Sequence, residues 1–78
     1  MSKRLAFATF DQNGFELDTF HARSRADVER AVALEWGREA EKIRIERFPI
    51  STIRGDEPRF ADLTTNSGWA ALNAGEIE

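Results

Sequence analysis

Residues 24–37 read Ser24-Arg-Ala-Asp-Val-Glu-Arg-Ala-Val-Ala-Leu-Glu-Trp-Gly37, and the start, period and end of a helix can all be read from them. The Ser24 hydroxyl can accept a hydrogen bond from a first-turn amide. Asp27 can reach back to this cap and meets the positive end of the helix dipole. Apolar residues then recur at three- and four-residue spacing, which predicts one buried helix face. That face comprises Val28, Ala31, Val32 and Trp36, widened by Ala26, Ala33 and Leu34.

The helix is predicted to end at or close to Gly37, because glycine takes the left-handed conformation without steric cost. An alternative continues the helix through residues 38–42. It requires a glycine inside the helix, which costs about 1 kcal/mol relative to alanine. It also places Glu35 and Glu39 near the middle of the apolar face.

A β-hairpin is predicted before the helix. Leu5–Phe10 is apolar and too short for a helix, so it is read as a strand. Asp11-Gln-Asn-Gly14 suits a type I′ turn, or a longer type I loop with Gly14 left-handed. Residues 15–21 alternate, with Phe15, Leu17 and Thr19 on one face and Glu16 and Asp18 on the other. The two turns differ in register by one residue, and both stay open.

The chain after the helix predicts a third strand and a looser C-terminal part. Residues 42–48 alternate, with Ile43 and Ile45 facing inward. Phe48 breaks the alternation and Pro49 removes a backbone donor, so the strand is expected to bulge or end there. Residues 50–54 are expected to be a short extended piece, and Pro58 is expected to open a short helix over 59–63. A polar break at 64–68 precedes a last helical stretch over 69–74, stopped by Gly75. The predicted fold is a single α+β domain, 1–78, with a ββαβ core over 5–48. One helix covers an antiparallel sheet, and the acidic segment 49–78 is packed on it or partly mobile.

Composition narrows the function classes. The 78 residues contain no cysteine and one histidine, so disulfides and a structural zinc site are not expected. No secretion signal or membrane span is read, and a cytoplasmic protein is expected. The net charge of −3 is concentrated in residues 51–78, which hold two bases and five acids. Nucleic-acid binding normally needs a basic face, so a nucleic-acid partner is not expected.

Catalytic and cofactor sites are weakly indicated. His21 lies three residues before Ser24, but no third group orients the imidazole, so a strand-end surface histidine is the favoured interpretation. The acid pairs, such as Glu16 with Asp18, are interpreted as solvated charges. Glycine-rich phosphate loops are absent, and no cofactor or metal is expected. The phenylalanines are interpreted as core under the helix rather than as a base-stacking surface.

The C-terminal third is the expected partner-binding surface. Acids there can speed encounter with a basic protein surface, and buried aromatic residues can supply affinity. The predicted partner-binding residues are Asp56, Glu57, Phe60, Asp62, Trp69 and Leu72. The alternative for Trp69 is that the tail folds back and its ring completes the core.

The order hairpin, helix closing on Ala33-Leu34-Glu35-Trp36-Gly37, strand resembles the layout of small phage-encoded anti-CRISPR proteins over residues 5–48. The resemblance implies a non-enzymatic inhibitor that binds a Cas subunit or surveillance complex in the host cytoplasm. The layout also resembles the partial RNase H-like module of HicB-type antitoxins, although no DNA-binding segment of that family is visible. The functional hypothesis is a non-enzymatic protein-binding module. The alternatives are a structural or regulatory protein that associates with itself as a homodimer, and a small enzyme.

Overall fold

The computed structural model describes residues 3–73 and confirms the α+β class. Two strands and a helix come first, β1 (Leu5–Phe10), β2 (Glu16–Ala22) and α1 (Arg25–Trp36). Two strands and a second helix follow, β3 (Arg44–Phe48), β4 (Phe60–Asp62) and α2 (Asn66–Asn73). The sheet order is β3-β1-β2-β4. The β1–β2 and β1–β3 pairs are antiparallel, but β4 runs parallel to β2, so the sheet is mixed rather than antiparallel as expected.

Helix α1 has the predicted start and end. The Ser24 hydroxyl accepts the Asp27 amide at 3.3 Å, and Gly37 ends the helix with φ +56°. Val28, Ala31 and Val32 are buried, whereas Leu34 is 55% exposed, so the apolar face is narrower than predicted. The chain continues from Gly37 to Lys42 as a separate 3₁₀ turn and does not extend α1.

The hairpin adopts the longer of the two turns. Gly14 donates to the Asp11 carbonyl with φ +88°, and no other described residue here has positive φ, which excludes type I′. The pairs Ala8–Thr19 and Phe10–Glu16 leave one residue of β1 opposite two of β2, a β-bulge at 17–18. The bulge breaks the alternation. Phe15, predicted to face inward, is 69% exposed, and Asp18, predicted to be solvated, is fully buried.

Both faces of the sheet are covered. Phe7, Phe20 and Ala22 pack under α1 together with Leu72 of α2. Ala6 and Ala8 pack on the opposite face against Ile53, from the segment between β3 and β4. Three other phenylalanines border this second cluster, so the expectation that the phenylalanines lie under the helix is wrong for them. These are Phe10, Phe48 and Phe60.

The segment after β3 differs most from expectation. Residues 50–52 form a 3₁₀ turn instead of an extended piece, and residues 60–62 form β4 instead of a helix. A helix of five residues forms too few hydrogen bonds to offset the cost of nucleation. The outer edge of β2 instead offers unpaired backbone groups with which residues 60–62 can pair. The Thr19 amide donates to the Arg59 carbonyl at 3.1 Å, and the Leu63 amide donates to the His21 carbonyl at 2.7 Å.

Helix α2 begins inside the predicted polar break. The Thr65 hydroxyl accepts the Gly68 amide at 3.1 Å, which caps the helix three residues earlier than expected. A Cβ on Gly68 would lie 1.8 Å from the Asp62 carbonyl oxygen, so glycine permits the close approach of α2 to β4. Gly75, the predicted stop, lies outside the described residues. Within residues 3–73, no helix is long and apolar enough to cross a membrane.

Candidate functional site

A groove with a distinct charge lies where β1 begins and β3 ends. The β1–β3 ladder stops at the Ala6–Phe48 pair, because Pro49 lacks a backbone donor and leads the chain into the 3₁₀ turn at 50–52. The two chain segments diverge there and enclose a groove of about 590 Å³. Its lining residues are Lys3, Arg4, Leu5, Ala6, Arg47, Phe48, Pro49 and Ile50.

The groove is basic although the protein is acidic overall. Lys3, Arg4 and Arg47 are exposed cations, and no acid is among the lining residues. Arg23 is a fourth cation nearby. It lines an adjoining hollow of about 340 Å³ together with Lys3 and Arg4. Antiparallel pairing explains the clustering, because the start of β1 and the ends of β2 and β3 meet at one end of the sheet. This charge distribution favours a negatively charged partner.

The floor of the groove is apolar. Ile50 is one of three large apolar residues exposed among the described positions, with 46% of its surface accessible. Phe48 is partly buried and tilts against Phe10 with ring centroids 6.3 Å apart. The groove therefore combines an apolar contact with cations, which is typical of a protein-docking surface.

The acid at the edge of the groove is held by its own loop. The Asp62 carboxylate accepts the Thr64 hydroxyl at 2.5 Å and the Thr64 amide at 3.0 Å, and it lies 3.6 Å from the Arg4 guanidinium. Burial raises the pKa of Asp62, but the two Thr64 donors and the Arg4 charge outweigh it and leave the pKa below its ordinary value. Asp62 is therefore ionised at neutral pH and neutralises part of the Arg4 charge.

A largely buried ion cluster joins β2, α1 and the segment before β4. The Arg59 Nε lies 2.5 Å from Asp18 Oδ1, and the Arg59 Nη2 lies 2.7 Å from Glu35 Oε2. Asp18 is fully buried on β2, and the Glu35 side chain on α1 is 15% exposed. Neither the alternation around Asp18 nor the charges near Arg59 in the sequence predict this contact, because the two residues are 41 positions apart. The cluster ties the segment before β4 to β2 and α1.

His21 is buried, not a surface histidine as expected. Its side chain is 7% exposed, and Nε2 lies 2.6 Å from the Ile53 carbonyl oxygen. A carbonyl only accepts, so Nε2 carries the proton and donates. The Phe60 ring stands edge-on, 4.8 Å from the imidazole. Because Ser24 caps α1, the His21–Ser24 combination supplies no described nucleophile–base contact.

Three of the predicted partner-binding residues lie beside the second apolar cluster. The Asp56 side chain is 73% exposed and lies 3.9 Å from the Arg54 guanidinium. Glu57 accepts the amides of Arg54 and Gly55 at 3.0 and 2.9 Å, and the Arg54 amide is the main cause that lowers the pKa of Glu57. Phe60 packs against the cluster. The two acids are already held by Arg54 and by backbone amides, so this loop is a weaker electrostatic site than the groove.

Of the remaining three predicted residues, Asp62 contacts Arg4 at the edge of the groove, and Trp69 and Leu72 lie on the helix side of the sheet. The Trp69 Nε1 donates to the Leu63 carbonyl at 2.9 Å, and the Arg30 guanidinium stacks over the ring at 5.1 Å. Leu72 is 6% exposed in the core. The structure therefore separates Trp69 and Leu72 from Asp56, Glu57 and Phe60, and it places Trp69 in the alternative role of completing the core.

No group of three or more His, Cys, Asp or Glu residues within 3–73 is arranged to hold a metal ion. Comparison with known proteins found no matching family model, no matching curated protein and no matching solved structure. The resemblance to anti-CRISPR proteins therefore stays a prediction.

Proposed function

We propose that the protein is a non-enzymatic module that docks on another protein through the basic groove. The observation that carries the proposal is the coincidence of three exposed cations with the exposed Ile50 side chain in one groove of an acidic domain. Such a combination supports encounter through charge and retention through apolar contact.

Three poorly exposed groups that could perform acid–base chemistry have structural partners instead. His21 donates to the Ile53 carbonyl, and Asp18 and Glu35 both hold Arg59. A general acid or base must reach a substrate proton within hydrogen-bond distance. Binding is therefore the function that these side-chain positions support best.

The proposal can be tested with C-terminally tagged bait in an extract of the native cell. Recovered proteins are quantified for the unchanged chain, for Arg47→Glu and for Arg38→Glu. Arg38 is exposed and outside the groove lining, so both variants change the net charge equally. A partner that is lost with Arg47→Glu and retained with Arg38→Glu supports the proposal. If recovery of every protein is the same for both variants, docking through the groove is rejected.

Two alternatives have their own outcomes in this design. The acidic surface that the sequence predicts would lose its partner with Asp56→Arg and keep it with Arg47→Glu. Self-association would appear as a dimer in sedimentation at micromolar concentration. An anti-CRISPR activity would appear as recovery of a Cas subunit by the bait and as loss of interference by that Cas complex.

A further inference from the structure

We propose that the occupant of the basic groove is an extended acidic peptide segment of the partner protein, in which acidic residues alternate with apolar ones. This inference rests on the proposed function and adds the chemistry of the ligand. Its first support is the backbone geometry of the groove. β3 leaves the sheet at Pro49, whereas residues 3–5 precede the last β1–β3 pair and continue past it.

An extended chain is the backbone that fits this position. The side of residues 3–5 that would face β3 has lost its strand neighbour, because residues 50–52 have turned away as a 3₁₀ segment. A peptide in β conformation can pair with such an edge through main-chain hydrogen bonds, and pockets for alternate side chains then select its sequence. Side chains of an extended chain project to opposite sides with a period of two.

The charges select acidic residues. Lys3, Arg4 and Arg47 line the groove, and Arg23 lies in the adjoining hollow. Carboxylates can form charge-assisted hydrogen bonds with guanidinium groups. The nearest acid, Asp62, contacts only Arg4 of these four in the described interactions, at 3.6 Å between partly exposed groups. An exposed pair of this kind contributes little, so a peptide carboxylate can share Arg4 at low cost.

The apolar floor distinguishes a peptide from a nucleic-acid strand. Single-stranded nucleic acid is held by stacking on exposed aromatic rings in basic grooves. Among the described residues, the aromatic side chain that is highly exposed is Phe15, at 69%. It lies in the hairpin and outside the groove. The groove instead offers aliphatic Ile50, and the one aromatic ring in its lining, Phe48, is partly buried against Phe10. A peptide with alternating acids and aliphatic side chains satisfies both the charges and the floor.

The inference is tested by fluorescence anisotropy with a labelled peptide of alternating glutamate and valine. Arg47→Glu is expected to weaken binding of this peptide about tenfold or more, because repulsion replaces attraction. Arg38→Glu, with the same net charge, is expected to change the affinity less than about twofold, since it lies outside the groove. Ile50→Ser should also weaken binding, whereas Leu34→Ser, at a site 55% exposed on α1, should not.

Peptide variants test the conformation and the charge separately. N-methylation of alternate backbone amides removes strand pairing and is expected to abolish binding, as is replacement of the glutamates by lysine. A labelled oligothymidylate is expected not to bind. The inference is overturned if the acidic peptide does not bind, if Arg47→Glu leaves its affinity unchanged, or if the oligothymidylate binds more tightly.

The inference and the proposed function can fail separately. If a partner is recovered through the groove but the segment that cross-links to it contains no acidic residues, the ligand assignment is wrong and the docking function stands. If Arg47 controls a dimer of this chain in sedimentation, the occupant is a second copy and the peptide assignment is wrong. If no partner depends on Arg47, both are rejected.

Discussion

Replacement of Arg59 by methionine is expected to be among the most damaging single changes outside the apolar core. Arg59 is the guanidinium partner of Asp18, which is fully buried, and of Glu35, whose side chain is 15% exposed. Methionine keeps much of the apolar stem but removes the positive charge. The two acids then face each other's charge in a poorly solvated site.

The expected size follows from the cost of leaving a buried charge without its partner, about 3–5 kcal/mol. The Arg59 side chain is 35% exposed, so water can reach the site and the lower end, about 3 kcal/mol, is expected. A domain of 78 residues has a total unfolding free energy of roughly 4–12 kcal/mol at about 0.05–0.15 kcal/mol per residue. The variant is therefore expected to lose a quarter or more of the stability of the domain.

Urea unfolding followed by tryptophan fluorescence and circular dichroism measures this loss. Arg54→Met is the matched control, because Arg54 is 76% exposed and lies 3.9 Å from Asp56; its expected effect is less than about 1 kcal/mol. Asp18→Asn in the Arg59→Met background should recover part of the loss. If Arg59→Met unfolds at the same urea concentration as Arg54→Met, the buried ion cluster does not stabilise the fold as argued.

Three further changes test other parts of the structure. Gly68→Ala should destabilise the domain by about 1–3 kcal/mol in urea unfolding, because its methyl group would lie 1.8 Å from the Asp62 carbonyl oxygen; an unchanged midpoint would contradict that close approach. Trp69→Phe should cost about 1 kcal/mol, since the Leu63 carbonyl loses its indole donor, and a stabilised variant would show that the bond is unimportant. The lowered pKa of Glu57 adds stability above its unfolded-state pKa and loses it as pH falls through the folded-state value. Unfolding between about pH 5 and about pH 3 should therefore be less pH-dependent for Glu57→Gln, and equal slopes would refute the amide contacts.

Local signals in the sequence predict the centre of the fold. The α1 boundaries follow from Ser24 and Gly37, whose roles depend on residues within one turn. β1 and the end of β3 at Pro49 likewise depend on short-range chemistry. The turn type could be narrowed to two forms, and Asp11 decides between them by accepting the Asn13 and Phe15 amides with its side chain.

Long-range contacts account for what the sequence does not predict. The burial of Asp18 depends on Arg59, 41 positions away, and on the covering of both sheet faces, whereas Phe15 lies exposed before β2 begins. β4 forms only because the outer edge of β2 is available, and residues 60–62 carry no strand signal of their own. The sequence does not predict the basic groove either, because Lys3 and Arg47 are far apart in the chain and come together only at one end of the folded sheet.

The location of the docking surface is tested most directly by photo-cross-linking in the native cell. A photoreactive amino acid is placed at Ile50, in the groove, or at Asp56, in the loop before β4, and cross-linked partners are identified by mass spectrometry. Both positions are exposed, so neither substitution should disturb the fold. If the basic groove is the docking surface, position 50 gives a specific protein adduct that is lost in the Arg47→Glu background, and position 56 gives none. An adduct from position 56 that persists with Arg47→Glu, with none from position 50, would contradict it.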